Sequence, residues 1–396
     1  MKLFRKLPGI VILLTCIFLS GAKDPKRILL KSISDYEGFV ITRHVDPFEK
    51  FERRIWKDSL RVLKSDVESG LNENTMYVRW CRINALLNDE HTTVRKRSPY
   101  SPIGCLKYSD GVFVMRTAPD LRELLGARLI SIENVSCDTL VGMVNQLIPG
   151  NTAWKSQKVV DYMMDINVLK GLGIASTDTV VMKFEKEGKE IESKIFHHKF
   201  QSWSNITYTQ IMLRFELSRN YWYKFIENDK VVFMSYNSCM EDKYERIKTF
   251  FTRLAEDVEK RQPKKFILDL RGNSGGNAYL LQPLINGLAK GRLARDKKIF
   301  VLTGRNTFSA AVQNAYSMKT KANAILIGEE TGGNLNHFGA IKTEKLSNGY
   351  YMTYSTKLFQ ADTTVHGGIL PDVVIEPSFQ NRMKGIDECL NAALEY

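Results

Sequence analysis

Phe266-Ile267-Leu268-Asp269-Leu270-Arg271-Gly272-Asn273-Ser274-Gly275-Gly276-Asn277 is an apolar run that breaks into a glycine-rich loop. A run this short and apolar predicts a buried strand over 266–270, and the glycines predict a tight turn before a helix over 278–289. The alternation continues downstream as a strand over 299–303, a helix over 309–319 and a strand over 324–328. Upstream, a strand over 231–236 precedes a long helix lined by Ile247, Phe250, Phe251, Leu254 and Val258. Strands alternating with helices require right-handed crossovers and a parallel sheet, with the site at the strand ends.

Before that core the texture changes. Residues 101–200 carry short strands over 111–115 and 128–132, then a helix with Val141, Val144 and Leu147 on one face and Asp138 as its cap. Segments 180–186 and 189–196, joined across Glu187-Gly188, read as a hairpin. The sum is a small β domain with one helix. Residues 47–88 read as helical, because Met76, Trp80, Ile83 and Leu87 recur on one face. That pattern ends at Asn88-Asp89-Glu90-His91-Thr92-Thr93, which sets His91 where helix gives way to loop. There are no internal repeats or low-complexity segments.

At the start, Lys2, Arg5 and Lys6 precede an apolar run over 7–19 and then Ser20-Gly21-Ala22. A basic start, a short apolar core and small residues describe a secretory signal peptide cleaved after Ala22. The run is shorter than the roughly 20 residues a bilayer span takes. The chain is therefore expected to be secreted, periplasmic or in the cell envelope, without an integral span. The rival reading is a lipoprotein anchored through Cys16; Thr15 before it and the apolar 17–19 after it fit that poorly. The remaining 374 residues predict two or three domains and hold Cys81, Cys105, Cys137, Cys239 and Cys389. These are odd in number, scattered and without CxxC, so they read as buried apolar residues rather than a disulfide or zinc framework. Beyond residue 22 the formal charge is +10, from 54 Lys and Arg against 44 Asp and Glu. The charges interleave, as over 242–248, which describes a solvated helix face and excludes a nucleic-acid stripe.

Two serines compete as nucleophile. Gly272-Asn273-Ser274-Gly275-Gly276 fits the G-x-S-x-G elbow between strand and helix. Against Ser274, charged Asp269 and Arg271 flank the turn. Paired glycines at a helix start also make a better anion cradle. Ser309, in Asn306-Thr307-Phe308-Ser309-Ala310-Ala311, opens the next helix, whose positive end favours an alkoxide. Serines at helix starts are commonly just caps, so composition alone separates neither candidate.

Four segments together resemble the C-terminal-processing/tricorn-core (tail-specific protease) family of serine peptidases. They are 269–277, Thr307-Phe308-Ser309-Ala310-Ala311, Ile327-Gly328-Glu329-Glu330-Thr331-Gly332-Gly333 and Gly368-Ile369-Leu370-Pro371-Asp372-Val373. They stand in the family's order and approximate spacing. The resemblance implies Ser309 as nucleophile and Gly275, Gly276 and Ala310 as the oxyanion hole. It also implies a multidomain α+β and α/β chain: a helical segment to 100, a PDZ-like β domain over 101–200, and a parallel-sheet, crotonase-like catalytic core over 201–396. No metal or organic cofactor is implied, and the expected partner is a peptide or protein substrate. Bacterial members use a lysine as base where this chain has Asn334, and an amide cannot take a proton. Tricorn-type members use a histidine in a segment like Asn88-Asp89-Glu90-His91-Thr92, so the resemblance makes His91 the base, with His337 in reserve. The glutamate those members carry near the last segment is absent from 363–368. Glu90, Glu330 and Asp362 are alternatives for the acid, which stays unassigned. Asp269 and Arg271 are expected to brace the turn rather than react. An esterase, or a ligand-binding protein without proteolysis, is the rival reading.

Overall fold

The computed structural model describes residues 24–198, 207–209, 219–291 and 298–396. The basic and apolar start, with its expected cleavage site and Cys16, lies outside them. Three helices lead: α1 (Pro25–Arg43), α2 (Arg53–Glu68) and α3 (Glu73–Ala85). The helical pattern expected over 47–88 is thus two helices. Gly70 stops the first at φ +98°, and Asn72 caps the second by accepting the Thr75 amide at 2.9 Å. Met76, Trp80, Ile83 and Leu87 are all buried, and each such side chain stabilises the fold by roughly 1.5–3 kcal/mol. A loop carrying His91 follows, then the short strand β1 (Thr93–Arg95).

The small β domain is a sheet of β2 (Ile103–Tyr108), β3 (Gly111–Thr117), β4 (Arg128–Ile132), β6 (Thr179–Lys186) and β7 (Lys189–Phe196), paired in that order. β5 (Val135–Ser136) pairs with β4, and β8 (Thr207–Tyr208) with β3. Glu187 and Gly188 both have positive φ, the conformation a two-residue hairpin turn requires. Two details depart from the sequence reading. Ser136, not Asp138, caps α4 (Cys137–Asn145), because the Ser136 hydroxyl accepts the Thr139 amide while Asp138 sits in the first turn. The domain also holds α5 (Thr152–Met163) and α6 (Ile166–Gly171), so its described residues hold three α-helices rather than one. The signal for α5 was Asn151 after Pro149-Gly150, a cap whose side chain accepts the Trp154 amide at 2.8 Å.

The core sheet runs β18 (Val373–Val374), β13 (Ile325–Gly328), β12 (Lys298–Thr303), β11 (Lys265–Asp269), β10 (Val231–Tyr236) and β9 (Tyr221–Ile226). All neighbours are parallel except β9, which pairs antiparallel at one edge. Helices α7 (Ile247–Arg261), α8 (Gln282–Ala289) and α9 (Ala310–Ala322) cross over between the strands. Residues Ala278–Leu281 form a 3-10 turn rather than the start of α8. Pro283, lacking an N–H, opens a new helix without losing a hydrogen bond. Two hairpin-like additions follow β13. β14 (His337–Gly339) pairs with β17 (Lys357–Phe359), and β15 (Lys342–Lys345) pairs with β16 (Tyr351–Tyr354), which also pairs with β1. Helices α10 (Phe379–Met383) and α11 (Glu388–Glu395) close the chain. The five cysteines beyond residue 22 are free and buried, as their spacing suggested. Among the described residues no helix is long and apolar enough to cross a membrane.

Candidate active site

The carboxyl ends of β11 and β12 carry the glycine turn and the serine loop, and hydrogen bonds to the turn's carbonyls join the two. Thr307 Oγ1 donates to the Leu270 carbonyl (2.9 Å), the Phe308 amide to the Asn273 carbonyl (3.0 Å), and Asn306 Nδ2 to the Gly272 carbonyl (2.9 Å). Ser309 stands at the head of α9 with φ +52° and ψ −123°, and its side chain does not cap the helix. A serine held at positive φ, with its hydroxyl unspent, is unlike an ordinary cap; such backbone strain, of order 1–3 kcal/mol, gathers at functional sites. Two glycines make room for it. A Cβ on Gly275 would lie 2.8 Å from Ser309 Cβ, and one on Gly333 would lie 2.9 Å from the Ser309 amide nitrogen.

Of the three expected oxyanion donors, one is otherwise engaged. The Gly275 amide donates to Asn273 Oδ1 at 2.9 Å. Asn273 is itself fully buried and donates from Nδ2 to the Tyr236 carbonyl at 2.7 Å. The sequence reading gave Gly275 and Gly276 equal standing; the Asn273 side chain takes the first amide. Gly276 is exposed and lies against Cys239, whose amide donates to the Gly275 carbonyl at 3.0 Å. The Ala310 amide, in the first helical turn, has no acceptor within the helix. Asp269 and Arg271 brace the turn as expected: Arg271 donates to both Asp269 oxygens and to both oxygens of Asp387. Ser274 is exposed at the turn.

His91 is fixed through its backbone. Its amide donates to Asp89 Oδ1 (2.9 Å) and its carbonyl accepts from Thr353 Oγ1 (2.7 Å) on β16. The ring stands in a column of aromatic side chains from four parts of the chain. Trp154 of α5 stacks on Phe308 at 3.9 Å between centroids, Phe308 lies 4.6 Å from His91, His91 5.5 Å from His337, and His337 5.5 Å from Phe359. The residue next to Ser309 is therefore in contact with the expected base. No hydrogen bond joins Ser309 to His91 in this structure, and His91 Nδ1 is buried without a partner. Catalytic bonds are commonly long before substrate binds. Burial pushes the His91 pKa down to about 4, opposed by Asp89 and helped by His337. The His91 ring is thus neutral at pH 7. His337 Nδ1 donates to the carbonyls of Asn334 (2.9 Å) and Leu335 (3.2 Å), and burial lowers its pKa too.

Of the carboxylates considered for the acid, Asp362 and Glu330 are engaged elsewhere, and Glu90 lies within 4.8 Å of a His91 ring nitrogen but is held by Asn334. Asp362 accepts from Tyr316 and Thr364. Glu330 faces Gly367 and Gly368. Glu90 accepts from Asn334 Nδ2, and burial, with the Asp89 charge behind it, pushes its pKa up to about 7. The carboxylate nearest the His91 ring is Asp89, with Oδ1 3.9 Å from Nδ1. Sequence reasoning missed it, although an Asp two residues before a loop histidine is a familiar local turn partner. Asn334, at the place of the family's lysine, ties the site together by also accepting from Asn151 Nδ2 at 3.2 Å.

Residues 283–375, which include Ser309 and the Gly328–Gly333 segment, match the model of peptidase family S41. They are an S41 peptidase segment. The resemblance read from the four motifs is borne out, and within the S41 segment Ser309 stands at the head of a helix after a parallel strand. Gly275, Gly276 and His91 lie before it. Among curated proteins, no sequence matches this chain. Among solved structures, mature CPAF complexed with lactacystin shares 11% identity at a TM-score of 0.67, over 94% of this chain and 97% of that one. Mature CPAF in a second structure shares 12% identity at 0.64, over 93% and 96%. At that identity the likeness is one of fold, here a mixed α/β fold extending well outside the S41 segment.

Proposed function

We propose that this chain is an exported serine peptidase with an acyl-enzyme mechanism. Ser309 gives its hydroxyl proton to His91 as its Oγ bonds to the scissile carbonyl carbon. The amides of Gly276 and Ala310 receive the oxyanion. His91 then returns the proton to the leaving amine as the C–N bond breaks, and water, activated by the same histidine, releases the acid. The small β domain is read as the PDZ-like module and the parallel sheet as the crotonase-like core. The observation that carries the proposal is Ser309 itself: a serine at positive φ, hydroxyl unspent, at a helix head beside the glycine turn, its neighbour Phe308 against the His91 ring.

A fluorophosphonate probe tests it, applied to wild type, Ser309→Ala, Ser274→Ala and His91→Ala. Labelling of wild type and Ser274→Ala alone supports the mechanism, and peptide against ester substrates then separates peptidase from esterase. A folded wild type that takes no label favours a ligand-binding protein. That reading draws on the missing Ser309–His91 hydrogen bond and the unpartnered Nδ1.

A further inference from the structure

We propose that Asp89 is the positioning residue of His91: its carboxylate selects the tautomer with the proton on Nδ1 and the bare nitrogen at Nε2. The inference deepens the serine-peptidase reading and rests on it. Its basis is an uneven distribution of donors. Asp89 Oδ2 accepts from His44 Nε2 (2.9 Å), Thr92 Oγ1 (2.5 Å) and Ser355 Oγ (2.7 Å). Oδ1 accepts only the His91 amide, and its remaining lone pair faces the buried, unpartnered His91 Nδ1 at 3.9 Å. A gap of 3.9 Å is about 1 Å beyond a hydrogen bond, within the adjustment a bound substrate makes. The same pairing leaves Nε2 as the ring's acceptor, the atom a serine proton needs.

The carboxylate is built to stay ionised and in place. His44 Nδ1 accepts the Asp46 amide at 3.1 Å, so its Nε2 carries the hydrogen that points at Asp89. Burial alone would raise the Asp89 pKa, but the bonds from His44 and Thr92 and the neighbouring His91 hold it at about 2. Its donors come from the end of α1, from the His91 loop and from the residue after β16. A buried carboxylate that only had to cap a loop would not need three donors on one oxygen and a bare ring nitrogen opposite the other.

The substitution Asp89→Asn has a defined consequence. Three donors on the Oδ2 side require the amide oxygen there, which turns the NH2 toward His91. It would then donate to Nδ1 and move the ring proton to Nε2, the tautomer that cannot accept from serine. Two measurements test this. Nitrogen-15 NMR of ring-labelled histidine at pH 7, with His91 assigned by comparison with His91→Gln, reads the tautomer directly. Wild type should show the Nδ1–H form and Asp89→Asn the Nε2–H form. Peptide cleavage by Asp89→Asn should lose roughly a hundred-fold or more in kcat with KM little changed. Nε2–H in wild type, or an unchanged tautomer and kcat in Asp89→Asn, overturns the proposal. If Asp89→Asn does not fold, the wild-type spectrum alone decides. A wild type that resists fluorophosphonate sinks the hydrolase reading separately, because the tautomer is still readable.

Discussion

Asn273 holds the Gly275 amide at 2.9 Å with its side-chain carbonyl while its own NH2 reaches the Tyr236 carbonyl on the neighbouring strand. One buried side chain thus sets how the glycine turn leaves β11 and which of its amides is left without an acceptor.

Asn273→Ala removes both bonds and leaves two buried backbone groups unpaired. A loss of about 1–3 kcal/mol in stability is expected from the orphaned groups. Because a displacement of about 1 Å can cost roughly a hundred-fold in rate, kcat for peptide cleavage should fall by that order with little change in KM. Denaturant melting and steady-state kinetics check both; unchanged kinetics would mean the turn holds its shape without Asn273.

The pH profile should have an unusually low acid limb. A protonated histidine cannot take a proton, so activity is present above the folded pKa of His91 and lost as pH falls through it, near 4. An ordinary histidine would lose activity near 6.5. Trp154→Ala opens one end of the ring column, lets water approach Phe308 and His91, and should move that limb upward. The check is kcat/KM against pH for both proteins, with a limb near 6.5 in wild type counting against the burial argument.

Glu90 gives a stability prediction with the opposite sense to most carboxylates. Its folded pKa, about 7, is raised from an ordinary 4.5. Between those values the folded state holds a proton that the unfolded chain has released. Stability therefore falls as pH rises through that window and stays lower above it. Glu90→Gln keeps an acceptor for Asn334 and removes the titration. It should leave stability near pH 4 little changed and raise it at pH 8 by up to roughly 3 kcal/mol, at about 1.4 kcal/mol per pKa unit. Thermal melts of both proteins at pH 4 and pH 8 read it, and equal differences at the two pH values would refute it.

Ser309 offers a test of strain that activity does not enter. Ser309→Gly and Ser309→Ala should both be inactive, yet glycine adopts φ +52° freely whereas alanine is strained there as serine is. The glycine variant should be the more stable of the two by about 1 kcal/mol. Equal melting curves would show that the loop relaxes once the hydroxyl is gone.

The periodic parts of this fold were legible because the pattern and the packing agree. β10 to β13 and the helices between them stand close to where apolar runs and helical faces placed them. The helices α5 and α6 were missed because their apolar positions answer to neighbours in other segments rather than to a clean stripe; Trp154 is buried by Phe308, 154 residues on. Ser309 and His91 could be singled out by motif, and that motif includes Asp89, but it says nothing of the donors from residues 44 and 355 that hold the Asp89 carboxylate. Nor could it tell Gly275 from Gly276, since that distinction is made by the side chain of Asn273.

The ring column has a consequence for how the protein comes to be active. Its members stand at 91, 154, 308, 337 and 359, and the strand pair β1–β16 brings Thr353 to the His91 carbonyl. The two rings that meet at the serine loop, His91 and Phe308, are 217 residues apart in the chain. A chain synthesised only as far as residue 308 lacks His337 and Phe359, the two rings that complete the column. The loop that carries His91 is complete only when residue 355 has returned to residue 89.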